Sequence, residues 1–287
     1  MIAVFKHELR SHFHSLTAYV FGAFLLAFVG IWAMQYNLQS AVSNFEYVLG
    51  DSSLIFAVLV PILTMRVIAE ERKQKTDQLL YALPISTVEV VLGKYLALLV
   101  LLLIPLAVIS LYPLLFAQFG DVYLPTSYGS LLAFFLLGAA LIAVGVFISC
   151  LTENQGMAAG IGVAAMLLNY FSVSLSEYVS ATALGSVITI IVIFLLLGFL
   201  IRYLTHNGNV AYWVSFVLIA VTVAVYVMDS SLFEGLLPKV MEQLSLFSRF
   251  TVVVNGVFDL TAIVYYLTVL GFFLFLSVQS LEKRRYN

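Results

Sequence analysis

The sequence predicts an all-α polytopic membrane protein, a bundle of transmembrane helices forming one domain over residues 1–287. Three observations carry this prediction. The chain is 63% hydrophobic and only 10% charged, with a mean hydropathy of +1.08. A soluble domain of this length cannot cover so much apolar side chain with polar surface. Apolar runs recur at 16–34, 52–65, 95–117, 131–151, 157–176, 183–201, 210–228 and 260–281. Most approach the roughly 20 residues a helix needs to cross about 30 Å of hydrocarbon. Strand alternation is absent, and in lipid each backbone amide has to bond within its own segment. Counting the runs gives eight spans; six is the alternative, because the links at 177–182 and 205–209 are short enough for a re-entrant or interfacial pair.

Residues 1–15 precede the first run. Phe5, Leu9 and Phe13 recur at helical spacing with Lys6 and Arg10 on another face, which predicts an interfacial helix along the membrane. His7, His12 and His14 lie five and two apart, a spacing that does not converge three imidazoles, so no metal site is expected. The run at 16–34 is too long for a signal-peptide core and reads as a retained first span. Basic residues set the orientation. Lys6, Arg10, the group Arg66–Lys94, Arg202 and Lys283–Arg285 fall on one side with both termini, the cytoplasm; only Lys239 and Arg249 fall outside.

Between the second and third runs lies a charged connector, residues 66–94. It carries Arg66, Glu70, Glu71, Arg72, Lys73 and Lys75, then Asp77, Glu89 and Lys94. Thr76 and Asp77 suit the start of a short helix through Leu79, Leu80 and Leu83, which Pro84 stops. Ser86 and Glu89 then form a capping box that opens the next helix. The leucines need a cover, either the lipid interface or a docked protein; Glu70 and Glu71 would suit a protein better than anionic lipid.

Pro61, Pro105 and Pro113 interrupt the second and third runs. Further along, Glu153, Asn154 and Gln155 make a short inner turn. Gly156, Gly160 and Ala164 form a small-residue stripe for close helix packing, within the chain or at a seam with a second copy. Asn169 and Tyr170 are polar within a span, and either line a path or bond between helices. Residues 229–259 form the longest outer segment, with short amphipathic, interfacial helices. Cys150 is the only cysteine, so no internal disulfide forms.

Several functions are disfavoured. A phosphate loop needs G-x-x-x-x-G-K-[ST]; Gly93-Lys94 is followed by Tyr95, with Val88 at the first glycine position, so the chain alone is not expected to bind nucleotide. No H-E-x-x-H and no paired membrane carboxylates suggest a membrane hydrolase. No Asp or Glu falls clearly mid-span, which disfavours proton antiport. An ion-coupled secondary transporter using backbone carbonyls, or a structural membrane subunit, stays open.

The stretch LTMRVIAEERKQKTDQLLYALPISTVEVVLGKYLA resembles the coupling region of ABC type-2 permeases, and most of all the gliding-motility-type subfamily. AVGVFISCLTENQGMAAGI (143–161) and FSRFTVVVNGVFDLTAIVYYLTVLGFFLFLSVQSLEKRR (247–285) resemble further segments of that subfamily. One departure is Lys75-Thr76 where the family usually has Gly-Thr; a second is a longer insert at 177–228. The resemblance implies the membrane subunit of an ATP-driven exporter of an amphipathic or lipid-linked substrate, in a prokaryotic inner membrane. ATP and Mg2+ would be held by a separate cytoplasmic ATPase, in two copies. A second permease, identical or related, is implied as partner, an accessory outer subunit is admitted, and nucleic acid is not expected. Thr76–Leu83 would be the coupling helix between spans two and three, Glu70, Glu71 and Arg72 its stem, and Lys94 the anchor of the helix beyond.

Overall fold

The computed structural model describes residues 1–76, 85–179, 181–205, 208–257 and 259–285. Every regular element among them is helical. In chain order these are α1 (Ile2–His14), α2 (Leu16–Ala33), α3 (Phe45–Ser52), α4 (Phe56–Thr64), α5 (Ala69–Lys73), α6 (Thr87–Ile109) and α7 (Leu111–Phe116). There follow α8 (Leu124–Leu151), α9 (Gln155–Tyr178), α10 (Ala183–Thr205), α11 (Gly208–Met228), α12 (Leu236–Leu244), α13 (Leu246–Val254) and α14 (Leu260–Arg285).

Among the described residues, six stretches are long and apolar enough to cross a membrane: Leu16–Gln39, Phe45–Lys73, Thr87–Phe116, Leu124–Leu151, Gln155–Tyr178 and Leu260–Arg284. Tyr212–Met228 with Ser230–Leu244 makes a seventh only as a pair bent by 118°, and Ala183–Leu195 is a shorter apolar helix. The count is therefore six or seven, where the apolar runs gave eight with six as the alternative.

Contacts divide the chain into two compact units, 1–170 with 246–287, and 171–245. The first is built around α8. Two-thirds of its apolar window is buried (67%), as is that of Phe45–Lys73, against 22% for the windows of Leu16–Gln39 and Leu260–Arg284, whose sides the described residues leave largely uncovered. Lipid gives helices no hydrophobic reason to associate, so close approach and hydrogen bonds have to hold them. Both occur on α8. A Cβ at Gly145 would stand 2.3 Å from Thr64 Oγ1, and one at Gly138 would stand 2.8 Å from Leu102. These glycines let α4 and α6 sit directly on the α8 backbone. Tyr95 on α6 donates to the Ala139 carbonyl at 3.1 Å, and Phe147 packs on Phe273 of α14.

Two polar groups fix the end of this unit away from the connector. Glu46, 5% exposed, accepts from Asn44 Nδ2 at 2.7 Å, Ser127 Oγ at 3.3 Å and Thr126 Oγ1 at 3.4 Å. Leu246, which opens α13, has its N–H bonded to Asn169 Oδ1 (2.9 Å) and its carbonyl to Tyr266 Oη (2.9 Å). The apolar face of amphipathic α13 is covered by the bundle. It buries Leu246, Phe247, Phe250, Val253 and Val254, with Phe250 against Phe134 of α8. Helix α12, by contrast, buries no residue.

In the second unit α10 and α11 pack together, with Ser215 Oγ donating to the Phe194 carbonyl at 3.3 Å. Asp229 ends this pair by accepting from the N–H (3.0 Å) and hydroxyl (2.5 Å) of Ser231, bonds that hold its carboxyl below the usual pKa. Gly235, at φ +66°, makes the turn into α12 that a side chain would strain.

Candidate functional site

The connector begins where α4 breaks. Thr64 turns its hydroxyl back to the Val60 carbonyl at 2.9 Å, and the chain leaves helical geometry until Ala69. That break frees N–H groups inside the protein, where an unmet donor is costly. Ser149, near the end of α8, meets two of them: its Oγ accepts from Ile68 N (3.2 Å) and Ala69 N (3.1 Å), and donates to the Met65 carbonyl at 3.4 Å. The stem α5 is thus seated on the end of α8 from its first residue.

Its next residues anchor it in two directions. Arg72, 5% exposed, donates from Nη1 to the Cys150 carbonyl, among the last carbonyls of α8, where a cation is favoured. Glu71 bonds Lys94 Nζ on α6 at 2.6 Å, and the same ammonium bonds Glu8 of α1 at 2.6 Å. The Lys94 side chain is 1% exposed, Glu8 13% and Glu71 27%, so the cation is the buried centre of a three-way joint. Close packing reinforces it: a Cβ on Gly93 would stand 3.1 Å from Val4, so α1 lies tightly on α6 beside Lys94. The N-terminal helix is therefore packed against the bundle and tied to the stem. Glu70, the other stem acid, accepts from Gln74 Nε2 at 3.3 Å.

The stem ends in a Schellman motif. Lys75 N bonds the Arg72 carbonyl at 3.0 Å, Thr76 N bonds the Glu71 carbonyl at 2.9 Å, and Lys75 sits at φ +56°. This conformation favours glycine, which accounts physically for the Gly-Thr of the resembling sequences at this position. Thr76 Oγ1 also donates to the Glu71 carbonyl at 3.2 Å. Asp77, Leu79, Leu80, Leu83 and Pro84 lie outside the described residues. Beyond them the capping box forms as the sequence predicts: Ser86 Oγ accepts from Glu89 N, and Ser86 N donates to Glu89 Oε2, both at 3.3 Å.

Between α1, the start of α2, the stem and Lys94 lies a polar cleft of about 600 Å³. The inner turn is tied to the last helix by Arg284 and Glu153, 3.4 Å apart, while Asn154 Oδ1 accepts from Gly156 N at 2.9 Å to open α9.

The remaining sequence candidates fall elsewhere. Gly156, Gly160 and Ala164 are exposed along α9, and nothing lies within 4 Å of a Cβ built on Gly160. The glycine of α9 that does pack is Gly162, whose Cβ would stand 2.9 Å from Pro61. Asn169 caps α13, and Tyr170 stacks edge-on against Phe247 at 5.0 Å. Glu8, Ser149 and Cys150 have site contacts that the sequence did not single out. Glu8 left one signal, as the only acid in the first helix. Among the described residues no three His, Cys, Asp or Glu side chains group as metal ligands.

A family profile described as ABC-2 family transporter protein matches residues 27–232, from within the first span into the second unit. The chain belongs to the ABC-2 transporter family. This ABC-2 subunit is thus a multi-pass membrane subunit of an ABC transporter, a part of the assembly that is not itself catalytic. A search of curated proteins finds no match to it.

Proposed function

We propose that this subunit is the permease of an ATP-driven exporter of the gliding-motility-type subfamily. A separate cytoplasmic ATPase, binding ATP and Mg2+, docks on the leucines of the connector and pulls on the stem. The observation that supports this reading is the double anchorage of adjacent residues. Glu71 holds α1 and α6 through Lys94, and Arg72 holds the end of α8. A loop that only satisfied a charge rule would need no buried joint to three helices. Motion at residue 76 would reach the spans through that joint, and the cargo, amphipathic or lipid-linked, would move outward along largely uncharged helices. Both termini and the connector then face the cytoplasm. The second permease docks on the exposed stripe Gly156–Gly160–Ala164, where small residues permit close approach.

Co-expression with the ATPase encoded beside it and affinity purification test the reading. We expect the ATPase to copurify with the unaltered chain, and Leu79→Glu, Leu80→Glu and Leu83→Glu together to remove it while leaving the chain folded in the membrane. Copurification that survives the three charges would reject the docking assignment, and ion-driven flux without ATP would reject the exporter.

A further inference from the structure

The cleft beside the stem has a lining that the joint alone does not explain. Its walls flank the ends of three spans. Ser15 and Thr17 stand at the start of Leu16–Gln39, Arg66 on the connector side of Phe45–Lys73, and Lys94 near the start of Thr87–Phe116. The cleft therefore stands among the connector-side ends of these spans, where lipid headgroups would lie.

Two side chains in it await a partner. Arg66 is exposed, and among the described residues no carboxylate lies within ion-pair distance of it. His12 lines the cleft at 9% exposure, and its ring nitrogens make no hydrogen bond among the described residues. Burial is the main cause that lowers the His12 pKa; Lys94 and Arg66 add to it, while Glu8 and Glu70 oppose it. The neutral ring offers one donor and one acceptor.

The charge balance selects the ligand. Glu8, Glu70 and Glu71 face Lys94 and Arg66, and Lys94 is already engaged by two of the carboxylates. A simple anion would find one open cation among three acids, and a simple cation would meet Arg66 at the lip. A molecule carrying a phosphate and a primary ammonium a few bonds apart satisfies both. We propose that this cleft binds the headgroup of a phosphatidylethanolamine-type lipid, its phosphate toward Arg66 and the Ser11 hydroxyl and its ammonium toward Glu70. Because α1 and the stem form opposite walls, the lipid would brace the joint from the membrane side.

The full-length chain, purified in detergent and stripped of lipid, is titrated with ethanolamine, choline and glycerol phospholipids of identical acyl chains, and retention is read by native mass spectrometry. The ethanolamine lipid should be retained about tenfold over the others, the worth of one charge-assisted hydrogen bond that a methylated or absent ammonium cannot make. Arg66→Gln should weaken retention of the ethanolamine lipid, and Glu70→Gln should erase the preference over choline; both side chains reach solvent, so folding is preserved. Equal retention of the three lipids, a preference for glycerol or choline, or a preference unchanged in both variants would overturn the proposal. So would full displacement by an equal concentration of soluble phosphoethanolamine, which would make the ligand a small molecule and not a lipid. No ATPase takes part in the measurement, so its failure and that of the transport reading are separate results.

Discussion

Two buried charges hold the two ends of the first unit, and they are held differently. Lys94 at the connector end is fixed by two carboxylates from two other elements, α1 and the stem. Glu46 at the far end is fixed by neutral donors, an amide two residues away and two hydroxyls at the start of α8. The first arrangement is strong but intolerant, because removal of one member leaves uncompensated charge in a poor solvent. The second is milder, since hydroxyls and amides serve a charged or neutral acceptor. The protein thus places its all-or-none contact where three elements meet, and a forgiving one where two neighbouring segments close.

That contrast is broken most directly at Lys94. Lys94→Met should cost about 3–5 kcal/mol of stability, read as a lower melting temperature in detergent, together with loss of transport. The triple variant Lys94→Met, Glu8→Gln, Glu71→Gln removes the whole ionic set and should recover most of the stability but not transport. Recovery of both would mean that the joint only holds the fold. Glu46→Gln should cost less, about 1–2 kcal/mol, and leave transport intact; a loss as large as that of Lys94→Met would erase the distinction between the two ends. The smallest effect is expected at Lys75. Replacing it with glycine relieves a left-handed backbone and should raise stability by about 0.5–1 kcal/mol, with no charge buried or released. A destabilised Lys75→Gly would show that the Lys75 side chain contributes more than the backbone costs.

Local patterns were readable, and joints between distant segments were not. The capping box at Ser86 and Glu89 is written within four residues, and it forms. The departure at Lys75 was visible as a missing glycine, although its meaning required the backbone angle. The joint at Lys94 unites residues 8, 71 and 94, and no periodicity in any one segment announces that union. The stripe on α9 illustrates the same limit: spacing marks Gly156 and Gly160 as small, yet Gly162, off that spacing, is the glycine that touches Pro61. The span count, eight or six from the apolar runs and six or seven among the described residues, turns on a related point. Hydropathy measures apolar length and is blind to a bend such as the 118° turn at Asp229. Amphipathicity likewise marks an apolar face on α13 without naming its cover, because a helix with one apolar face reads alike whether that face meets lipid or the core.

The Schellman turn at the end of the stem has a mechanical consequence. The carbonyls that receive Lys75 and Thr76 belong to Arg72 and Glu71, whose side chains are the ones rooted in α8 and in the Lys94 joint. Backbone and side-chain fastenings therefore share the same two residues, with no loose chain between them. A tug of one ångström at residue 76 has no slack to take up, so it arrives at the feet of three helices as displacement, in the way a taut cable rings at both ends when plucked.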